Sequence, residues 1–107
     1  GHSVEVELGL PPAAPPQRLF HGTARRFIGS IFTSGLLPGK RRHVHLSTDV
    51  ATALIVGRRH GEPAILGVDA GRLHESGAEF FLAENGVWLT AHVPPEYLVE
   101  LPADSTG

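Results

Sequence analysis

The sequence predicts an α+β domain dominated by sheet, with six or seven short strands and two or three short helices. Three observations carry that expectation. Apolar triplets such as Val44-His45-Leu46 and Phe80-Phe81-Leu82 recur between turn residues, the Ala64-Ile65-Leu66-Gly67-Val68 run has the unbroken apolar character of a buried strand, and only two stretches show helical spacing. One domain is expected, because 107 residues cannot bury two separate cores.

In chain order, Val4-Glu5-Val6-Glu7-Leu8 alternates like a half-buried edge strand, and Pro11, Pro12, Pro15 and Pro16 make a stiff extended connector. Leu19-Phe20-His21 is a short strand expected to stop at Gly22. Thr23 is then the expected N-cap of a helix whose Phe27, Ile28, Ile31 and Phe32 share a face and whose stop is Gly35. After the Pro38-Gly39 turn and the Val44 to Leu46 strand, Ser47-Thr48-Asp49 offers capping oxygens to a helix over Val50 to Val56. Gly61-Glu62-Pro63 breaks that helix before the buried strand. Asn85-Gly86 between Phe80-Phe81-Leu82 and Val87-Trp88-Leu89 signals a hairpin, since both residues tolerate positive φ, and Tyr97 to Leu101 gives a last strand.

Composition excludes several classes. The 41% apolar and 19% charged content is that of a folded chain, and no apolar run approaches the ~18 residues of a membrane helix. Without cysteine there is no disulfide, thiolate zinc site or Cys nucleophile. The chain also lacks methionine, even at position 1, as a trimmed fragment would. Its net charge of −2 conceals a partition. Residues 18 to 60 hold eight of the nine cations and one acid, a net +7, and residues 61 to 107 carry −7. A basic face meeting a phosphate-rich ligand is compatible with this, as is an ordinary mixed surface.

There is no P-loop, no G-x-G-x-x-G after a strand and no G-x-S-x-G elbow. Three places remain. In His21-Gly22-Thr23, Gly22 would let a flat ligand reach the backbone while imidazole and hydroxyl bind a sugar diol; the plainer reading is strand end, turn and cap. His43 and His45, two apart on a strand, could face one pocket or begin a metal site, although no further ligand stands at fixed spacing. Arg58 and Arg59 cannot share a helix face, so at most one enters a site; either could simply complement the helix dipole.

Taken in order, Leu19-Phe20-His21-Gly22-Thr23, Arg41-x-His43-Val44-His45-Leu46-Ser47, Val56-Gly57-x-Arg59-His60-Gly61 and Glu84-Asn85-Gly86-Val87-Trp88-Leu89-Thr90 resemble the RNA 2′-phosphotransferase family, the tRNA splicing and RNA repair phosphotransferases and their bacterial relatives. The His-Gly-Thr, with Ile31 ten residues and Gly35-Leu36 fourteen residues after His21, is similar to the donor-site signature of poly-ADP-ribose polymerase-like enzymes. The resemblance implies an ADP-ribosyltransferase-like fold, two small, mostly antiparallel sheets forming a nucleotide-binding cleft for NAD. It also implies a reaction with 2′-phosphorylated RNA. The RNA 2′-phosphate attacks C1″ of NAD and expels nicotinamide; O2″ of the ribose then attacks phosphorus, releasing 2′-hydroxyl RNA and ADP-ribose 1″,2″-cyclic phosphate. Some relatives instead ADP-ribosylate terminal phosphates of nucleic acids, and a noncatalytic NAD- or ADP-ribose-binding module is a further alternative.

By the same resemblance, His21 and Gly22 hold the nicotinamide-ribose end of NAD, and Thr23 takes a hydroxyl of either ribose. Ile31, Gly35 and Leu36 form an adenine slot. His45 takes the second position of the fold's signature triad, with Ser47 beside it, and Val87 the third, where many protein-modifying relatives carry Glu. Arg59 is the catalytic arginine acting on the RNA 2′-phosphate, Arg41 a second phosphate contact, and no metal is implied. The family's N-terminal winged-helix lobe, with further essential Arg and His residues, has no counterpart in these residues. The chain is therefore expected to be a single C-terminal lobe over 1–107, cytoplasmic, monomeric and without a membrane segment, that binds NAD but turns over poorly unless the other lobe is supplied.

Overall fold

A computed structural model of the chain describes residues 11–38, 43–83 and 85–101. The expected strand at Val4 to Leu8, and Arg41, lie outside the described residues. Among the described residues, six strands form two antiparallel three-stranded sheets. The first has the order β1 (Leu19–Ala24), β3 (Pro63–Val68), β6 (Leu98–Leu101), and the second β2 (Val44–Leu46), β5 (Trp88–Thr90), β4 (Phe80–Leu82). Helices α1 (Ile28–Ser34), α2 (Val50–Arg58) and α3 (Ala70–Glu75), with 3-10 turns at Arg25–Phe27 and Pro95–Tyr97, complete the α+β architecture.

Strand β3 is central to the first sheet, which explains why its sequence is apolar throughout: Ala64 to Val68 are all buried. Leu19 pairs with Val68 and Ala24 with Pro63, so β1 runs the full length of β3. This corrects the expected end of the strand at Gly22. Thr23 is not a helix N-cap; it is a buried β1 residue, and the chain leaves the strand only at the Arg25–Phe27 turn. The physical reason is pairing, since continued hydrogen bonding to β3 outweighs a local capping preference.

Gly22 has a packing role as well. A Cβ at that position would overlap the main-chain oxygen of Ala53 and come within 2.9 Å of the Gly57 nitrogen, so its missing side chain lets α2 lie directly on β1. Gly57 answers from the helix, where a Cβ would stand 2.8 Å from the Thr23 oxygen. Asp49 caps α2, accepting the Thr52 N–H at 2.7 Å, and that bond holds its carboxyl below the usual 3.8.

The two sheets meet at β1 and β2. Phe20 and Ser47 exchange backbone hydrogen bonds of 2.8 and 2.7 Å, a single bridge rather than a ladder. Between the sheets lies one apolar core, with Leu19, Leu46, Leu66, Val68, Phe80 and Val93 fully buried. Helix α1 ends at Gly35, whose φ of +86 only glycine adopts at little cost, and Leu36 then pairs with Val93. The Asn85-Gly86 turn forms as expected, with Gly86 alone of the two at positive φ; β5 begins one residue later than expected, at Trp88. No described helix is long and apolar enough to cross a membrane.

Candidate functional site

Ser47, at the bridge between the sheets, lines a cavity of about 430 Å³. His21, Gly22 and Thr23 of β1 form one wall, and His43, Val44, His45 and Ser47 the facing one. Thr52, Val56 and Arg59, one face of α2 and its C-terminal cap, close a third side with His60; Phe27, Leu37, Pro38, Asn85 and Val87 complete the rim. Among the described residues, the walls carry histidines and an arginine but no carboxylate.

The histidines are oriented by main-chain carbonyls. Nδ1 of His21 bonds the His45 oxygen at 2.9 Å, and Nδ1 of His45 bonds the His43 oxygen at 3.0 Å. A carbonyl only accepts, so each Nδ1 carries a proton, and in the neutral form of either ring Nε2 is then the acceptor. His43 is 5% exposed and meets the Phe81 ring edge-on, 6.0 Å between centroids. It lines the cavity and also a shallower one of about 380 Å³ behind it, with Glu79 and His92. Among the described residues no three His, Asp or Glu side chains are grouped to hold a metal ion.

Strand geometry also orients Gly22. Because main-chain groups alternate between the two edges of a strand, and Phe20 directs its N–H and C=O to Ser47, Gly22 directs its own to that same edge, beyond the bridge and along the cavity. Its missing side chain faces α2, so its openness toward a ligand comes from strand direction and not from lack of a Cβ.

Of the residues singled out in the sequence, His21, Gly22, Thr23, His45, Ser47, Arg59 and Val87 converge on this cavity. Arg58 does not line it, in line with the helix-face argument. Ile31, Gly35 and Leu36 are not among its walls. Leu36 is 3% exposed in the core and bonded to Val93, and the Cβ position of Gly35 is filled by the Val93 oxygen; the apolar surface the cavity does offer comes from Phe27, Leu37, Val56 and Val87. Sequence reasoning missed Phe27, Leu37, Thr52, Val56 and Asn85. Thr52 and Val56 were detectable in principle, because they precede Arg59 by seven and three residues on the same helix face.

Comparison with known proteins agrees with the motif order. Residues 1–92 match the RNA 2′-phosphotransferase, Tpt1 / KptA family. The chain belongs to that family. It is 58% identical over 107 residues to a probable RNA 2′-phosphotransferase of Agrobacterium fabrum, covering all of this chain and 57% of that protein. Probable RNA 2′-phosphotransferases of Burkholderia lata and Acaryochloris marina are 59% and 54% identical over 102 and 101 residues, 94% of this chain and 53% and 56% of theirs. The chain thus spans a little over half the length of the curated relatives it matches. The cavity of this Tpt1 / KptA member is built by the segments that carried the resemblance, from His21-Gly22-Thr23 to Asn85 and Val87.

Proposed function

We propose that this chain supplies the NAD-binding half of an RNA 2′-phosphotransferase, which removes an internal 2′-phosphate from RNA by ADP-ribosylation of that phosphate followed by transesterification. The observation that carries the reading is the convergence of His21, His45 and Arg59 on one cavity whose described walls hold no carboxylate. Nε2 of His21 and of His45 suit the ribose hydroxyls of NAD, and the Gly22 main chain suits the nicotinamide carboxamide, which needs one acceptor and one donor. Phosphate is an anion at neutral pH and needs no general base, so Val87 can stand where a carboxylate would otherwise act.

In the first step a 2′-phosphate oxygen forms the bond to C1″ as the C1″–N bond to nicotinamide breaks. In the second, the O2″ hydroxyl attacks phosphorus and gives up its proton, the RNA 2′-oxygen leaves and takes one up, and the cyclic phosphate departs. Arg59 meets the charge on the transferring phosphoryl group with a bidentate donor fork. Among the described residues no carboxylate lines the cavity to neutralise its field there.

Calorimetric titration of this chain with NAD tests the donor half. His21→Ala should weaken binding by at least about tenfold, the worth of one good hydrogen bond to a buried partner, and Arg59→Ala by no more than about twofold. A large loss of NAD affinity in Arg59→Ala contradicts its assignment to the RNA phosphate. With 2′-phosphorylated RNA, the chain alone should release little nicotinamide until the remaining half of a relative is added. Rapid turnover by these 107 residues alone sinks the half-site reading, and no release under either condition favours a module that only binds NAD.

A further inference from the structure

We propose that Arg26 is a positioning residue that holds the turn carrying Arg59 at the cavity edge and thereby sets the grip of the site on a substrate phosphate; the proposal rests on the reading of Arg59 given above. Arg26 lies in the turn after β1 and does not line the cavity. Its Nη1 donates to the main-chain oxygen of His60 at 2.7 Å, and its guanidinium carbon stands 4.6 Å from the centre of the Phe27 ring. Phe27 stands on the rim and the Arg59-His60 pair on one side of the cavity, so one exposed side chain touches both.

The turn after α2 is shaped to receive that guanidinium. Gly61 has φ +129, and a Cβ there would stand 2.9 Å from Nη1 of Arg26, so a side chain at 61 would contest the same space. A main-chain bond from the Arg25 N–H to the Glu62 oxygen, 2.8 Å, fixes the two turns side by side. The N–H groups of Arg59 and His60 bond the Val56 and Gly57 oxygens at 3.1 and 3.0 Å, and beyond them the Gly61 N–H reaches the Arg58 oxygen only at 3.5 Å. Arg59 makes no ion pair with a described residue, so its place depends on the backbone that carries it. A charge-assisted bond to the carbonyl after a helix C-terminus, favoured by the helix dipole, is the interaction that can steady it.

The test uses this chain with two probes, a short single-stranded RNA bearing one internal 2′-phosphate and the same RNA with a 2′-hydroxyl. In Arg26→Ala, amide exchange at His60 and Gly61 should quicken about fivefold or more, with exchange in β3 unchanged, and the preference for the phosphorylated RNA should fall about five- to tenfold. Arg26→Lys should recover most of both, because an ammonium can donate to the same carbonyl and sit over the same ring. Adding Arg26→Ala to Arg59→Ala should cost nothing further, a non-additivity that general destabilisation does not produce. Unchanged exchange at His60 and Gly61, or additive losses in the double variant, overturns the proposal. A parent chain that cannot tell the two RNAs apart while exchange responds as expected overturns the phosphate role of Arg59, and with it the functional half of the inference.

Discussion

Single residues in this chain decide distances that elements cannot. The Gly22 and Gly57 pair sets how closely α2 approaches β1, and the approach places the Thr52, Val56 and Arg59 face over the cavity. Gly22→Ala should therefore destabilise the domain by about 3 kcal/mol, the upper part of the range for overpacking, because the obstruction is backbone and cannot rotate away. Thermal unfolding should show a fall in Tm of more than about 10 °C, given ~4–8 °C per kcal/mol in a domain of this size. Gly29→Ala is the control: a Cβ there meets nothing within 4 Å and its helical position favours alanine, so Tm should hold or rise. The sequence showed Gly22 to matter but did not show this contact, since the helix that packs on it lies some thirty residues on in the chain.

At the scale of elements, legibility followed the origin of each element's stability. Helix α2 was readable because its cap is local: Asp49 accepts from Thr52 three residues on. Its carboxyl is held below the unfolded value, so the capping contribution is complete above about pH 4 and fades as pH falls through the lower folded value. Asp49→Asn keeps an accepting oxygen and should lose less Tm than Asp49→Ala at pH 7, and the gap between the parent chain and Asp49→Asn should shrink as pH is lowered below 4. Helix α3 escaped notice for the opposite reason. Ala70–Glu75 has glycine in its first turn and no side-chain cap, and it forms because Leu73 enters the core and the Gly71 N–H bonds the Gln17 oxygen, contacts no local pattern contains. The extension of β1 through Ala24 was hidden in the same way, in its pairing with β3.

For the molecule as a whole, position along one strand separates what matters for folding from what does not. Phe80 is fully buried in the core and Leu82, two residues on, is 44% exposed. Phe80→Ala should cost about 3–5 kcal/mol, a large part of the ~5–15 kcal/mol that holds a domain of ordinary stability together, and Leu82→Ala less than about 0.5 kcal/mol; urea titration distinguishes them. The charge partition was legible as a number and only partly as a place. Arg59 reaches the cavity, while Arg25, counted in the same basic stretch, faces Glu62 and Glu100 at 3.6 Å from the acidic half. What sequence could not contain is the join between the sheets. Two backbone bonds between Phe20 and Ser47, with the bond from His21 Nδ1 to the His45 oxygen beside them, pin one leaf to the other, so a ligand that needs more width between His21 and His45 works against these few bonds and leaves both ladders closed.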